Sequence, residues 1–236
     1  MIDPEVRRAV ARELARVPGA VVVHGGGPFI AQALTDAGLT SRFVRGLRVT
    51  DARSLPIIER TLTQLGKVLA SEMGRAVGLT GRDSSLLVAD PLPELGFVGK
   101  VTAVDRELLD GLLSLGFTPV IACLAVTEGG GVLNVNADDA AGAVAGTLGA
   151  PVVFLSNIPG VLDDPADPGS VITSLTEAEA GARIADGRIS EGMIPKVEAA
   201  LSALRAGAAF AVIADGREPS QLGATLAGEC GTRLVH

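Results

Sequence analysis

The chain has 236 residues, 47% of them hydrophobic and 20% charged, with a formal charge of −7 at pH 7. That length suits a large α/β fold with a sizeable core, and a mean hydropathy of +0.41 argues against disorder. No run of 18 uncharged apolar residues is present, an acidic chain with 3% aromatics lacks the face of a nucleic-acid binder, and two histidines exclude a histidine-rich metal site. The charged start, MIDPEVRRAVAREL, does not read as a secretion signal, and Cys123 and Cys230 cannot build a disulfide framework. A cytoplasmic location is expected.

The first segment reads as a helix. Asp3 can cap it, Pro4 fits the first helical position, and Val6, Val10, Leu14 and Val17 recur on one face before Pro18-Gly19 stops it. The apolar run 20–23 reads as a buried strand, followed after HGGGP by a helix over 29–37, a longer helix over 55–73 and a strand at 76–79. Residues 84–104 break the rhythm around DPLPELG and VGK, which predicts a small antiparallel hairpin inserted into the sheet. Alternation resumes with a helix at 105–115 and a strand at 118–122, and GGGVLNV marks a second hairpin leading into a helix over 138–148. A buried strand at 152–155 runs into SNIPGVL. Helices at 177–185 and 195–206, a strand at 210–214, a last helix and a strand at 232–235 complete the chain. Such alternation is the signature of a mostly parallel sheet with helices on both faces.

In open parallel sheets, ligands bind beyond the carboxyl ends of the strands, where turns meet helix N-termini. Four junctions fit that description. In the first, His24-Gly25-Gly26-Gly27-Pro28, three glycines let backbone N–H groups approach an anion at a helix N-terminus; a tight turn needing positive φ accounts for them equally. The second, GLRVTD, sets Arg48 between Leu47 and Val49. A guanidinium there can grip a carboxylate through two parallel hydrogen bonds, or be one solvated arginine among many. The third, Asn134-Val135-Asn136-Ala137-Asp138-Asp139, opens a helix, where Asn and Asp are ordinary caps. The fourth pairs SNIPGVL with GMIPK. Lys196 stands on a first helical turn, where the dipole prefers an acid, so it is either solvated or placed for a ligand with several negative charges. Lysine is scarce here: of 20 basic residues only Lys67, Lys100 and Lys196 are lysine.

Taken in order, VVVHGGGP, GLRVTD, NVNAD, a strand ending in SNIPGVL, and GMIPK before a helix resemble the amino-acid kinase superfamily, and within it the acetylglutamate kinases, from about residue 20 to the C-terminus. The resemblance implies a three-layer αβα sandwich with a mostly parallel central sheet of the carbamate kinase-like kind. It implies a single domain over 1–236, with an acyl-amino-acid-binding lobe over about 1–150 and a nucleotide-binding lobe over about 151–236. The implied reaction is ATP-dependent phosphorylation of the side-chain carboxylate of N-acetyl-L-glutamate to an acyl phosphate, in arginine biosynthesis, with Mg2+ accompanying ATP. The implied partners are those two small molecules and a second copy of the chain in a homodimer, without nucleic acid, membrane or arginine regulation.

By the same resemblance Gly25 and Gly26 hold the phosphoryl group in flight and part of the acyl-amino acid, Arg48 holds the α-carboxylate, and Asn134 also binds the substrate. Asp138 orients lysine side chains and Lys196 stabilises the transferring phosphoryl group, so Lys196, Asp138 and Gly25 form the implied catalytic set. Asn157, Ile158, Pro159, Gly160, Val161 and Leu162, with Arg188, Ile189 and Ser190, line the implied nucleotide pocket; no residue is assigned to a metal. The chemistry is coherent. A carboxylate nucleophile with an ordinary pKa of about 4.3 is already ionised at neutral pH and needs no general base. The obstacle is repulsion between two anions, which positioning and positive charge must overcome.

The sequence departs from the family at its start. Members normally open with a strand ending in Lys-x-Gly-Gly, whereas here the first lysine is Lys67 and the first residues read as helix. That strand is expected to be missing from the sheet, and the chain as written is expected to be a poor catalyst, since losing a single oxyanion-type donor costs about 10²–10³ in rate. Lys67, mid-helix, and Lys100, in the inserted hairpin, are assigned no phosphate role. Asn157 stands where many acetylglutamate kinases have aspartate. A related kinase of lysine biosynthesis, acting on carrier-protein-bound aminoadipate or glutamate, often resembles this chain at that turn. A non-catalytic ligand-binding relative is the other alternative.

Overall fold

The computed structural model describes residues 4–164, 166–167, 169–189 and 193–236. The chain divides into two compact units, Met1–Ala140 and Ala141–His236. Among the described residues no helix is long and apolar enough to cross a membrane.

In chain order the first unit contains α1 (Pro4–Leu14), β1 (Val22–His24), α2 (Gly27–Asp36), β2 (Phe43–Val44), β3 (Leu47–Arg48), α3 (Leu55–Met73), β4 (Ala76–Thr80), β5 (Leu87–Pro91), β6 (Val98–Val104), α4 (Arg106–Ser114), β7 (Thr118–Ala122), β8 (Leu124–Val126), β9 (Val132–Val135) and the start of α5 (Ala137–Leu148). Strands β1, β7 and β4 form a parallel sheet with β7 central. Val120 and Ile121 of β7 are both fully buried although adjacent strand residues point to opposite faces, so both faces of the sheet are covered. On one face Val120 joins Ala11 of α1 and Ala70 and Met73 of α3. Helix α3 buries Ile58, Leu62, Gly66, Ala70 and Met73, a helical spacing along one stripe, and ends at Gly74 with φ 86°. Arg7 ties α1 to α3 through a bidentate pair with Glu72 at 2.7 and 2.9 Å.

The hairpin expected at 84–104 forms as β5 and β6, but it is not inserted into this sheet. With β8 and β9 it closes a separate four-stranded barrel. The barrel is narrow. A Cβ on Gly99 would come within 2.6 Å of Leu133 and 3.0 Å of Ala89, so glycine leaves room for side chains of the two neighbouring strands.

The second unit holds the rest of α5 with β10 (Val152–Ser156), β11 (Ser174–Thr176), α6 (Glu177–Ala185), α7 (Ile194–Arg205), β12 (Ala211–Asp215), α8 (Leu222–Ala227) and β13 (Thr232–Val235). Its sheet runs β10-β12-β13-β11; β10–β12 and β11–β13 are parallel, and β12–β13 is antiparallel. Helix α6 starts at a reciprocal cap between Thr176 and Glu179. Helix α7 lies close to α5 because small residues meet: a Cβ on Gly142 would sit 3.1 Å from the Ala203 methyl, and one on Gly146 2.5 Å from the Ala206 carbonyl oxygen.

Candidate active site

The first unit holds the glycine loop, Arg48, Asn134 and Asp138. Strand β1 ends at His24, and the glycine loop leads directly into α2, with Pro28 in the first turn. None of Gly25, Gly26 and Gly27 adopts a positive φ, so the tight-turn explanation does not apply. Close approach does. A Cβ on Gly25 would lie 3.3 Å from the Ala137 methyl, and one on Gly26 3.0 Å from Leu62, whereas Gly27 faces open space. The loop therefore lies against the start of α5. The Gly26 carbonyl accepts from Ile30 at 2.8 Å and opens the helix.

Arg48 is carried by a two-stranded hairpin, β2–β3, absent from the sequence expectation. Arg45 and Gly46 form its turn with φ of 48° and 78°, a positive pair that suits the twist of a two-residue hairpin. The guanidinium stacks 4.7 Å from the centre of the Phe43 ring, donates to the Ser41 hydroxyl, and donates to the Gly27 carbonyl at 3.2 Å. Burial lowers its pKa from the ordinary guanidinium value. The Arg48 guanidinium thus stands beside the glycine loop.

Asn134 on β9 is buried and donates through Nδ2 to the Thr50 hydroxyl at 3.2 Å. Thr50 is itself wholly buried. Its N–H donates to Leu95 at 2.9 Å, its carbonyl accepts from Phe97 at 2.7 Å, and the Asn134 N–H donates to the Phe97 carbonyl at 2.9 Å. GLRVTD and NVNAD are therefore stitched together across residues 95–97, and Thr50, to which the sequence reading gave no role, lies between them. The last residue of GLRVTD is structural: hydrogen bonds from the Ser54 side chain and backbone hold the Asp51 carboxyl below its usual pKa and fix the entry to α3. Asp138 is the second residue of α5, whose first turn is capped by the Asn136 side chain accepting from the Asp139 N–H at 3.0 Å. Nearby Cys123 is no nucleophile, because burial above all pushes its thiol up to about 12.

The second unit holds the remaining residues singled out in the sequence. Strands β10 and β12 end side by side, Ser156 opposite Asp215, and the turn after Ser156 is the SNIPGVL segment. Gly160 is pinned against β13: a Cβ there would lie 2.7 Å from the Thr232 hydroxyl, which accepts from the Val161 N–H at 2.8 Å and donates to Ile172 at 2.6 Å. Of the expected nucleotide-lining residues, Asn157 is exposed, Ile158, Pro159 and Leu162 are half-buried, and Gly160 is buried. Val161 and Ile189 are core side chains, packed with Met193 and Val197, so their contribution to a pocket is confined to backbone. Arg188 is exposed and pairs with Asp186 at 2.6 Å. Ser190 and Gly192 lie outside the described residues. Lys196 occupies the third position of α7, half-buried.

Among the described residues the buried Ser156 hydroxyl has no hydrogen-bond partner, an open polar position at a parallel strand end that fits a phosphate-bearing ligand. Among the described residues no group of three or more His, Cys, Asp or Glu can hold a metal ion. Mg2+ arriving on nucleotide phosphates needs few protein carboxylates.

Residues 1–215 match the Amino acid kinase family. An acetylglutamate kinase of Deinococcus radiodurans is 52% identical over 235 residues, covering 98% of this chain and 94% of that protein. One of Thermus thermophilus is 51% identical over 229 residues, covering 95% and 91%. Among solved structures, smu.665 of Streptococcus mutans superposes with a TM-score of 0.80 at 27% identity, covering 100% of this chain and 93% of that one. Giardia carbamate kinase, at 16% identity, TM-score 0.71 and coverage of 97% and 89%, shares the fold. The chain belongs to the amino acid kinase family and groups with its acetylglutamate kinases.

Proposed function

We propose that this chain transfers the γ-phosphoryl group of ATP to the side-chain carboxylate of N-acetyl-L-glutamate, making the acyl phosphate intermediate of arginine biosynthesis. One observation carries the reading: the Arg48 guanidinium hydrogen-bonds to the Gly27 carbonyl, which sets a carboxylate clamp beside a glycine loop with amides free of positive-φ strain. Arg48 holds the α-carboxylate, Asn134 is held by Thr50 with its Oδ1 left to accept from the substrate, and the side-chain carboxylate is directed to the loop. A carboxylate oxygen attacks the γ-phosphorus as the bond to the β,γ-bridging oxygen breaks. ADP leaves with that electron pair, and no proton moves. Bound Mg2+ shields the β- and γ-phosphate charges. By the family resemblance, in the first unit Gly25 and Gly26 hold the transferring phosphoryl group and Asp138 is an organiser of lysine side chains; in the second, Lys196 stabilises that group, and Ser156 with the turn 157–162 and the Arg188–Ile189 backbone hold the nucleotide.

The protein acts in the cytoplasm as a homodimer, so light scattering is expected to return twice the 23.9 kDa chain mass. The activity is tested by trapping the acyl phosphate with hydroxylamine, using the natural full-length protein and Mg-ATP. Acyl hydroxamate is expected from N-acetylglutamate and not from N-acetyl-aspartate, whose carboxylate is one methylene closer to the clamp. Absence of product from N-acetylglutamate rejects the proposal.

A further inference from the structure

His24 immediately precedes the glycine loop and is 8% exposed. Its ring occupies a recess on α3 opened by Gly66, where a Cβ would come within 2.8 Å of Nε2. Gly66 in turn meets Gly78 of β4, where a Cβ would lie 2.9 Å from the Gly66 carbonyl oxygen. Packing alone does not call for histidine in such a recess. Nε2 is buried without a partner among the described residues, a state that costs stability and that a leucine of similar size would avoid.

What the imidazole adds is Nδ1, 3.0 Å from the carbonyl oxygen of Gly25. A carbonyl only accepts, so Nδ1 carries the hydrogen and the neutral ring is the Nδ1–H tautomer. Burial, which lowers the pKa of this histidine, keeps the ring in that form. The peptide between Gly25 and Gly26 is trans, so its N–H points opposite to its carbonyl. Among the described residues no acceptor takes the Gly26 N–H. One buried side chain therefore sets the direction of one amide donor.

We infer that His24 is a positioning residue for phosphoryl transfer: by holding the Gly25 carbonyl it aims the Gly26 N–H at the transferring phosphoryl group. The inference rests on the reading of Gly25 and Gly26 as the phosphoryl-holding loop. Three substitutions in the full-length protein separate positioning from packing. Asparagine places an amide N–H where the imidazole has Nδ1, glutamine displaces it outward, and leucine fills the recess without a donor.

His24→Leu and His24→Gln are expected to lose about 10- to 100-fold in kcat, part of the roughly 10²–10³ lost when an oxyanion donor is deleted, with KM for N-acetylglutamate within about threefold. His24→Asn is expected to stay within about threefold of wild-type kcat while melting below His24→Leu, the reverse of the kcat order. A leucine variant with wild-type kcat, or an asparagine variant as impaired as leucine, overturns the inference. ADP binding with and without aluminium fluoride, in the presence of N-acetylglutamate, separates the two layers of the argument. Fluoride-dependent tightening is expected in wild type and not in His24→Leu. If His24→Leu keeps the tightening, the positioning role is wrong; if wild type lacks it, the loop reading fails and the inference falls with it.

Discussion

Thr50 shows how much a single buried hydroxyl can organise. Its Oγ1 accepts from Asn134 and lies 3.4 Å from the Arg48 carbonyl, so it sits between two residues assigned to the substrate. Thr50→Val keeps the shape and removes the acceptor, leaving the Asn134 amide buried without its partner. KM for N-acetylglutamate is expected to rise about tenfold, the effect of roughly 1–2 kcal/mol from one lost hydrogen bond, and Thr50→Ser is expected to restore it. Steady-state kinetics that find Thr50→Val unchanged would detach this residue from the substrate. His24 makes a separate prediction for stability. Burial lowers its folded pKa below the ordinary 6.5, so as pH falls through 6.5 the unfolded chain takes up a proton that the folded chain refuses. Stability is therefore unaffected by this group at higher pH and declines as pH drops below 6.5. The difference between wild type and His24→Leu in urea unfolding should shift in favour of the variant between pH 7 and pH 5; a difference independent of pH contradicts the buried neutral ring.

At the scale of elements, the packing of α3 on the sheet depends on Gly66 and Gly78 meeting without side chains. Gly78→Ala puts a methyl 2.9 Å from the Gly66 carbonyl oxygen and 3.1 Å from the Lys67 nitrogen, both backbone atoms that cannot swing aside. A loss of about 1–3 kcal/mol in urea unfolding is expected, the usual cost of overpacking; an unchanged midpoint would mean that the helix shifts freely. Elements with strong periodicity were legible from sequence. The expected span of α3 matches its observed Leu55–Met73, because its apolar stripe, its first-turn Pro56 and Gly74 all mark the same segment. The hairpin β2–β3 was not legible, since its turn places Arg45 in the left-handed region in place of the usual asparagine or aspartate. Nor did the sequence disclose that β5 and β6 close a barrel with β8 and β9, because alternation records which face of a strand is buried and not which strand lies beside it. In the site, the glycine, arginine and asparagine motifs were readable as local strings. The roles of His24 and Thr50 were not, because they depend on Gly66, Gly78 and residues 95–97, distant along the chain.

Over the whole molecule, a protein with a formal charge of −7 is proposed to join two anionic substrates. Its general field repels both, so on the proposed reading charge stabilisation falls to particular donors: the loop amides and the Arg48 guanidinium in the first unit and the Lys196 ammonium in the second. Three lysines in 236 residues leave little redundancy in that charge, and Lys67 is committed elsewhere, donating to the Gly78 carbonyl at 2.5 Å. The direct measurement is kcat for Lys196→Met in the full-length protein, followed by hydroxamate formation under saturating Mg-ATP and N-acetylglutamate. A fall of about 10²–10³ in kcat, with KM for N-acetylglutamate within about threefold, is expected of a cation that acts on the transferring group. A methionine variant turning over at the wild-type rate would contradict it.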